Sequence, residues 1–172
     1  PSFTFPISEN GRLSLRYTAE VSELTDLEND AGAIVTAEAA RGEIWNSSVG
    51  YTLSYDTRRA GLNPNAGVLL EFGQDFGGVG GDNSFVKTTA RAVAQTRVLN
   101  EEVTLRATVE GGVLNFTSGS GRVTDRFFLG PNIMRGFTPD GIGPRERDPA
   151  TSVDDALGGN MYAVARFEAE FP

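Results

Sequence analysis

Leu13-Ser14-Leu15-Arg16-Tyr17-Thr18-Ala19-Glu20-Val21-Ser22-Glu23 alternates apolar and polar side chains without a break. A period of two puts Leu13, Leu15, Tyr17, Ala19 and Val21 on one face of an extended chain and Ser14, Arg16, Thr18, Glu20 and Ser22 on the other. That is the pattern of a long β-strand with unlike faces. It recurs along the chain. Val49, Tyr51, Leu53 and Tyr55 oppose Ser48, Thr52, Ser54 and Asp56, and Val68, Leu70 and Phe72 oppose Glu71 and Asp75. Val86, Ala90, Ala92 and Ala94 oppose Lys87, Thr89, Arg91 and Gln95, while Val103, Leu105, Ala107 and Val109 oppose Thr104, Arg106, Thr108 and Glu110. Met161, Ala163, Ala165, Phe167, Ala169 and Phe171 oppose Arg166, Glu168 and Glu170, and Phe3 to Ile7 reads as the tail of one more strand. Helical three-to-four spacing persists nowhere for a useful length, so the chain is read as all-β, an antiparallel meander of six to seven long strands.

Each main strand spans roughly ten residues or more, against about five or six in a globular protein. The connections Arg58 to Ala66 and Arg97 to Glu102 are short, whereas Thr25 to Trp45 and Thr117 to Leu157 are long and fall at the opposite end, with a glycine-rich Gly77 to Asn83 beside them. Tight turns at one rim and extended loops at the other are the pattern of a transmembrane β-barrel. A soluble sandwich also alternates, and the charges decide between the two. Arg16, Glu20, Lys87, Arg91, Arg106, Glu110, Arg166, Glu168 and Glu170 all fall on the polar faces. An arginine or lysine turned to lipid at the bilayer midplane costs about 2–4 kcal/mol, so these nine residues are expected to face a polar lumen, with the small apolar residues on the lipid side. Spanning barrels need about eight strands or more and no open edge. Residues 1–172 are therefore expected to be a partial outer-membrane β-barrel domain with a long extracellular loop at 117–157, beginning mid-protein and without a targeting segment.

Composition removes much of the alternative chemistry. There is no cysteine and no histidine, which takes away disulfides, thiolate nucleophiles, the usual zinc ligands, a serine triad's base and the ordinary proton shuttle. No cofactor, metal or catalytic residue is expected. A net charge of -8 argues against nucleic acid as a partner. Of the 15 cations only Lys87 is not arginine. The planar guanidinium suits fixed carboxylate pairing, which hints at internal ion pairs. Asp148 to Asp155 holds several carboxylates, but neither the ligand spacing nor the central glycine of a calcium loop, and reads as a solvated loop. Gly77-Gly78-Val79-Gly80-Gly81 is followed by no helix and no Gly-Lys-Ser/Thr, and reads as a flexible hairpin tip.

The remaining signal lies in Phe127-Phe128-Leu129-Gly130-Pro131-Asn132-Ile133-Met134-Arg135-Gly136-Phe137, then Gly141-Ile142-Gly143-Pro144-Arg145, then Asp155-Ala156-Leu157-Gly158-Gly159-Asn160 and a strand ending Phe171-Pro172. Tyr51-Thr52-Leu53-Ser54-Tyr55-Asp56-Thr57-Arg58 and Leu62-Asn63-Pro64-Asn65-Ala66-Gly67 precede them in the same order as in the barrels they resemble. Together these stretches resemble the outer-membrane assembly barrels of the bacterial surface antigen superfamily, over most of the chain from Val49 onward. The resemblance implies a loop folded back into the lumen with Arg135, Gly136 and Phe137 at its functional tip, and marks Gly130, Gly143, Pro144, Asp155, Gly158, Gly159 and Asn160 as the flanking family motif. The chemistry is coherent: a guanidinium with five donors, a glycine that permits a tight turn and a phenylalanine that anchors by packing. The family usually has a second glycine where Pro131 stands, which puts the local loop path in doubt.

In that family the carboxylates holding the loop arginine lie largely on later strands, so Arg135 has no definite partner in this chain; Glu168 and Glu170 are candidates, though both also suit pairing with Arg166. The function implied is that of a non-enzymatic factor that folds and inserts nascent barrel proteins into the bacterial outer membrane. Nascent outer-membrane proteins, accessory assembly lipoproteins and outer-membrane lipids are the partners implied, and upstream POTRA domains the expected company. A TamA-like barrel or two-partner secretion transporter is the alternative within the superfamily, and a passive porin or soluble β-sandwich the alternative outside it.

Overall fold

A computed structural model describes residues 1–25, 31–58, 66–99, 103–119, 121–148 and 150–171. Seven strands form one antiparallel sheet in the order β1-β2-β3-β4-β5-β6-β9: β1 (Ser2–Pro6), β2 (Gly11–Ser22), β3 (Ile44–Asp56), β4 (Gly67–Gly77), β5 (Ser84–Val98), β6 (Val103–Ser118) and β9 (Met161–Glu170). A separate hairpin, β7 (Arg145–Asp148) with β8 (Val153–Ala156), lies inside the β6–β9 connection. The meander read from the alternation is present, and several strands outrun it. β3 starts five residues before Val49, and β6 runs to Ser118. Gly50, Gly111 and Gly112 blur the alternation locally, but the ladder of paired backbone groups continues through them.

Residues paired across an antiparallel ladder share a face. Register therefore carries one face across the sheet. Arg16 opposes Gly50, Gly50 opposes Asp75 and Asp75 opposes Lys87; Arg91 opposes Glu110; Arg106 opposes Glu168; Thr108 opposes Arg166; and Thr104 opposes Glu170. All nine charges singled out in the sequence, Glu20 included, share that face. The other face runs Leu15-Tyr51, Leu53-Phe72, Leu70-Ala92-Val109 and Ala107-Phe167. It is uncovered, with Leu70 50%, Val109 55% and Phe167 82% exposed. An apolar surface of that continuity belongs in lipid, not water. Leu69, Val93, Leu114 and Val164 lie on the charged face and are buried, which inverts the distribution of a water-soluble sheet. Nor is there a second sheet packed on the apolar face among the described residues, as a sandwich would need.

Two of the loops read as irregular are structured. The β2–β3 connection carries the helix α1 (Ala33–Ala39), which a seven-residue stretch is too short to announce by periodicity. The connection between β6 and β9 carries a 3₁₀ turn (Val123–Asp125) and the β7–β8 hairpin, and spans 119–160 instead of 117–157. Residues 62–65 of the motif before Gly67 lie outside the described residues.

Candidate functional site: a loop seated on the charged face

The 119–160 segment is held to the wall first at its root. Phe127 forms a bridge with Gly159, its amide donating to the Gly159 carbonyl at 2.9 Å and its carbonyl accepting from the Gly159 amide at 2.9 Å. Its ring lies 4.9 Å from that of Tyr162 on β9, and the Lys87 ammonium sits 4.7 Å above the ring centroid. Lys87 also donates to the Asp125 carbonyl at 3.4 Å. Gly112 makes the seat possible, because a Cβ there would lie 2.7 Å from the Phe127 ring and 2.8 Å from that of Tyr162.

The second attachment is Arg166. Its Nη1 donates to the carbonyls of Asn132 (3.3 Å) and Ile133 (3.0 Å), and its Nη2 reaches Glu110 at 3.4 Å. The wall charges are linked in series: Glu71 to Arg91 at 3.6 Å, Arg91 to Glu110 at 3.5 Å, then Glu110 to Arg166. A guanidinium that joins a wall carboxylate to loop carbonyls is a structural rivet, and the carboxylate that Arg166 meets is Glu110 on β6, not the Glu168 or Glu170 expected from the sequence. Arg16 forms a bidentate pair with Asp75 at 2.6 and 2.7 Å.

The tip is different. Arg135 reaches Glu168, one of the two candidate carboxylates, at 3.2 Å, and Glu168 also faces Arg106 at 3.8 Å. Yet the Arg135 side chain is 91% exposed. Gly136 has φ +90°, a backbone conformation open to glycine at little cost. Phe137 is 46% exposed, whereas Phe127, ten residues earlier at the root, has its ring packed on Tyr162 and Lys87. Pro131 does not derail the path: the Gly130 carbonyl accepts from the amides of Ile133 (3.0 Å) and Met134 (2.9 Å), closing a tight turn around it.

The flanking motif residues are joints of the same loop. The Pro144 carbonyl accepts from Leu157 at 2.9 Å, and the Asn160 carbonyl from Leu114 on β6 at 2.7 Å. Gly143 and Gly158 both have positive φ. Asp155 belongs to no solvated loop: its Oδ2 accepts from the Gly32 amide at 2.7 Å, while both oxygens of Glu146 accept from Ala33 and Ile34 at 3.0 Å. The β7–β8 hairpin thus clasps the start of α1. Asp154 on the same hairpin is held below the ordinary aspartate value of 3.8, chiefly by the hydrogen bond from Arg145 and then by that from Arg147. The Gly78–Asn83 segment is likewise no loose tip, since Gly78 and Asp82 donate to the carbonyls of Ser47 (3.0 Å) and Trp45 (2.8 Å) and so extend β3 pairing.

Sequence reading missed a cluster where the two long loops meet. Glu38 of α1, 8% exposed, accepts from the Val123 amide at 2.9 Å. Arg41 donates to the Gly121 carbonyl at 2.8 Å, and the fully buried Arg122 donates to that of Gly42. Arg122 Nε and Nη1 have no partner among the described residues. Nothing in the local pattern marks these three residues; their significance comes from contacts about 80 positions apart.

The family model for the Omp85 superfamily domain matches residues 1–172. Among curated proteins, the outer membrane protein assembly factor BamA of Neorickettsia risticii is 33% identical over 99% of the chain, and that of Nitratidesulfovibrio vulgaris 28% over 96%. The sorting and assembly machinery component 50 homolog A of Xenopus laevis is 32% identical over 92%. The chain spans 22%, 21% and 32% of the length of these three relatives. With the seven-strand meander, the two unlike faces and the seated loop in agreement, the chain belongs to the Omp85 superfamily.

Proposed function

We propose that this chain supplies wall and internal brace to an outer-membrane barrel that folds and inserts nascent β-barrel proteins. The observation that carries the reading is the seat of the 119–160 loop on the charged face through Arg166, Lys87, Phe127 and Tyr162. A passive porin has use for an open polar lumen, whereas here the chain spends its own loop on covering it. The names of the bacterial relatives favour assembly over secretion, and the charged face is then the lumen, the α1-bearing and 119–160 loops the extracellular ones. Clients are nascent outer-membrane proteins, with accessory lipoproteins and outer-membrane lipids as further partners; the work needs no cofactor and no nucleic acid. Insertion itself is assigned to local bilayer thinning and to a weakly paired seam elsewhere in the barrel, where a client strand adds by β-augmentation.

Arg135-Gly136-Phe137 acts as the brace's contact with the rest of the barrel, Arg135 using Glu168 and a further carboxylate beyond these strands. The test is Arg135→Ala in the full-length protein, read by client insertion into vesicles and by the heat needed to unfold the barrel on a gel. Loss of insertion with lowered heat resistance is expected. Unchanged values for both would remove the bracing role.

A further inference from the structure

Arg122, where the two long loops meet, is 0% exposed, and arginine is among the residues least often buried whole. Its guanidinium keeps its charge at any ordinary pH and carries five N–H donors. Nη2 donates to the Gly42 carbonyl, while Nε and Nη1 have no partner among the described residues. A buried charge with no opposite charge beside it is strongly destabilising, and donors stripped of water add to the cost. The side chain needs a counter-charge.

The acids of the joint are engaged elsewhere. Glu38 accepts from the Val123 amide at 2.9 Å, and Asp125 accepts from the backbone amide of Arg122 at 2.7 Å and from the Asn46 side chain at 3.4 Å. Glu43, beside Gly42, is exposed. Among the described residues no ion pair joins any of the three to Arg122. Cations gather there instead. Arg41 donates to the Gly121 carbonyl at 2.8 Å as Arg122 donates to that of Gly42, so each arginine bonds the residue next to the other. Lys87 reaches the Asp125 carbonyl at 3.4 Å, and Arg126, whose Nε is also buried without a partner among the described residues, reaches the Leu157 carbonyl at 3.3 Å. Carbonyl oxygens accept hydrogen bonds but cancel no charge. In a chain of net charge -8, this joint is a positive pole.

The occupant has to be small and to carry charge of its own. Water would satisfy the donors and leave the charge unanswered. A molecule bearing a carboxylate or phosphate group needs a path that a side chain with no exposed surface does not offer. A guanidinium is more weakly hydrated than an ammonium, and so gives up water readily to an anion that is itself weakly hydrated. We infer that Arg122, with Arg41 beside it, forms a binding site for a monatomic halide, chloride in ordinary media, which locks the α1-bearing loop to the 119–160 loop.

The test uses the full-length protein in detergent micelles, with chloride exchanged for gluconate, an anion too bulky to enter, at constant ionic strength. Amide exchange over residues 33–42 and 121–126 is expected to run several-fold slower in chloride and to saturate as chloride rises, while exchange in β4 and β5 stays the same. Crystals grown in bromide should show an anomalous peak in contact with the Arg122 guanidinium. Arg122→Met, similar in length and uncharged, should abolish the difference between the two salts, and Arg122→Gln takes its place should the methionine variant not fold. Equal exchange in chloride and gluconate overturns the site. So does bromide found only at exposed arginines such as Arg147, or a carboxylate from elsewhere in the full-length barrel seated against Arg122. A chloride effect that survives in the folded variant overturns the assignment to Arg122.

Discussion

The root and the tip of the 119–160 loop are built on opposite terms. At the root, Phe127 is enclosed by Lys87, Tyr162 and the bare backbone of Gly112, and Arg166 ties the loop's carbonyls to Glu110. At the tip, Arg135 holds one carboxylate and keeps 91% of its side chain exposed. Contact energy follows burial: enclosed aromatic and charge-assisted contacts stabilise by whole kilocalories, while an exposed ion pair contributes about 0–1 kcal/mol. The root therefore positions the loop, and the tip is left available.

The largest break in that comparison is expected from Gly112→Val. Placing branched carbon where Phe127 and Tyr162 already sit forces the ring out, at a cost near the upper end of the roughly 1–3 kcal/mol seen for overpacking. The β strands should persist while the loop becomes protease-sensitive; a loop still protected would show that Phe127 is not its anchor. Next comes Arg166→Ala, which strips the Asn132 and Ile133 carbonyls of their donor and leaves Glu110, among the described residues, with Arg91. A loss of about 2 kcal/mol is expected from charged hydrogen bonds of this kind, measured as a shift in the urea midpoint for barrel unfolding.

Arg135→Ala, judged on the Glu168 contact only, should cost less than about 1 kcal/mol. A full-length barrel that loses clearly more reports the further carboxylate proposed above, so this variant measures how much of the tip's work lies outside these strands. The smallest effect concerns the β7–β8 hairpin. Asp154 has its pKa lowered in the folded loop, so its contribution is complete above the ordinary value of 3.8 and is lost as pH falls below it through the lowered one. Amide exchange across Arg145–Ala156 should quicken in that acid range only; quickening near neutrality would assign the hairpin's stability to another group.

Strand architecture was open to sequence reading because it is written residue by residue. A period of two records which face each side chain takes, and the charges of Arg16, Lys87, Arg91, Arg106 and Glu110 record which face cannot meet lipid. The loop motif was legible through family resemblance, and Gly136, Gly143 and Gly158 in it take positive φ values. The helix α1 was not legible, since seven residues carry two turns and its N-terminal amides are satisfied by Glu146 and Asp155 from more than a hundred residues away.

What the sequence by itself determined is the all-β meander, its two faces and the charged set between wall and loop. Only the tertiary structure decided that Phe127 seats the root of the loop, that Arg166 rivets it, and that Glu38, Arg41 and Arg122 join the two long loops. The physical reason is range. Alternation is imposed locally by the pleat of each strand, whereas a seat or a rivet exists only when register brings distant residues side by side.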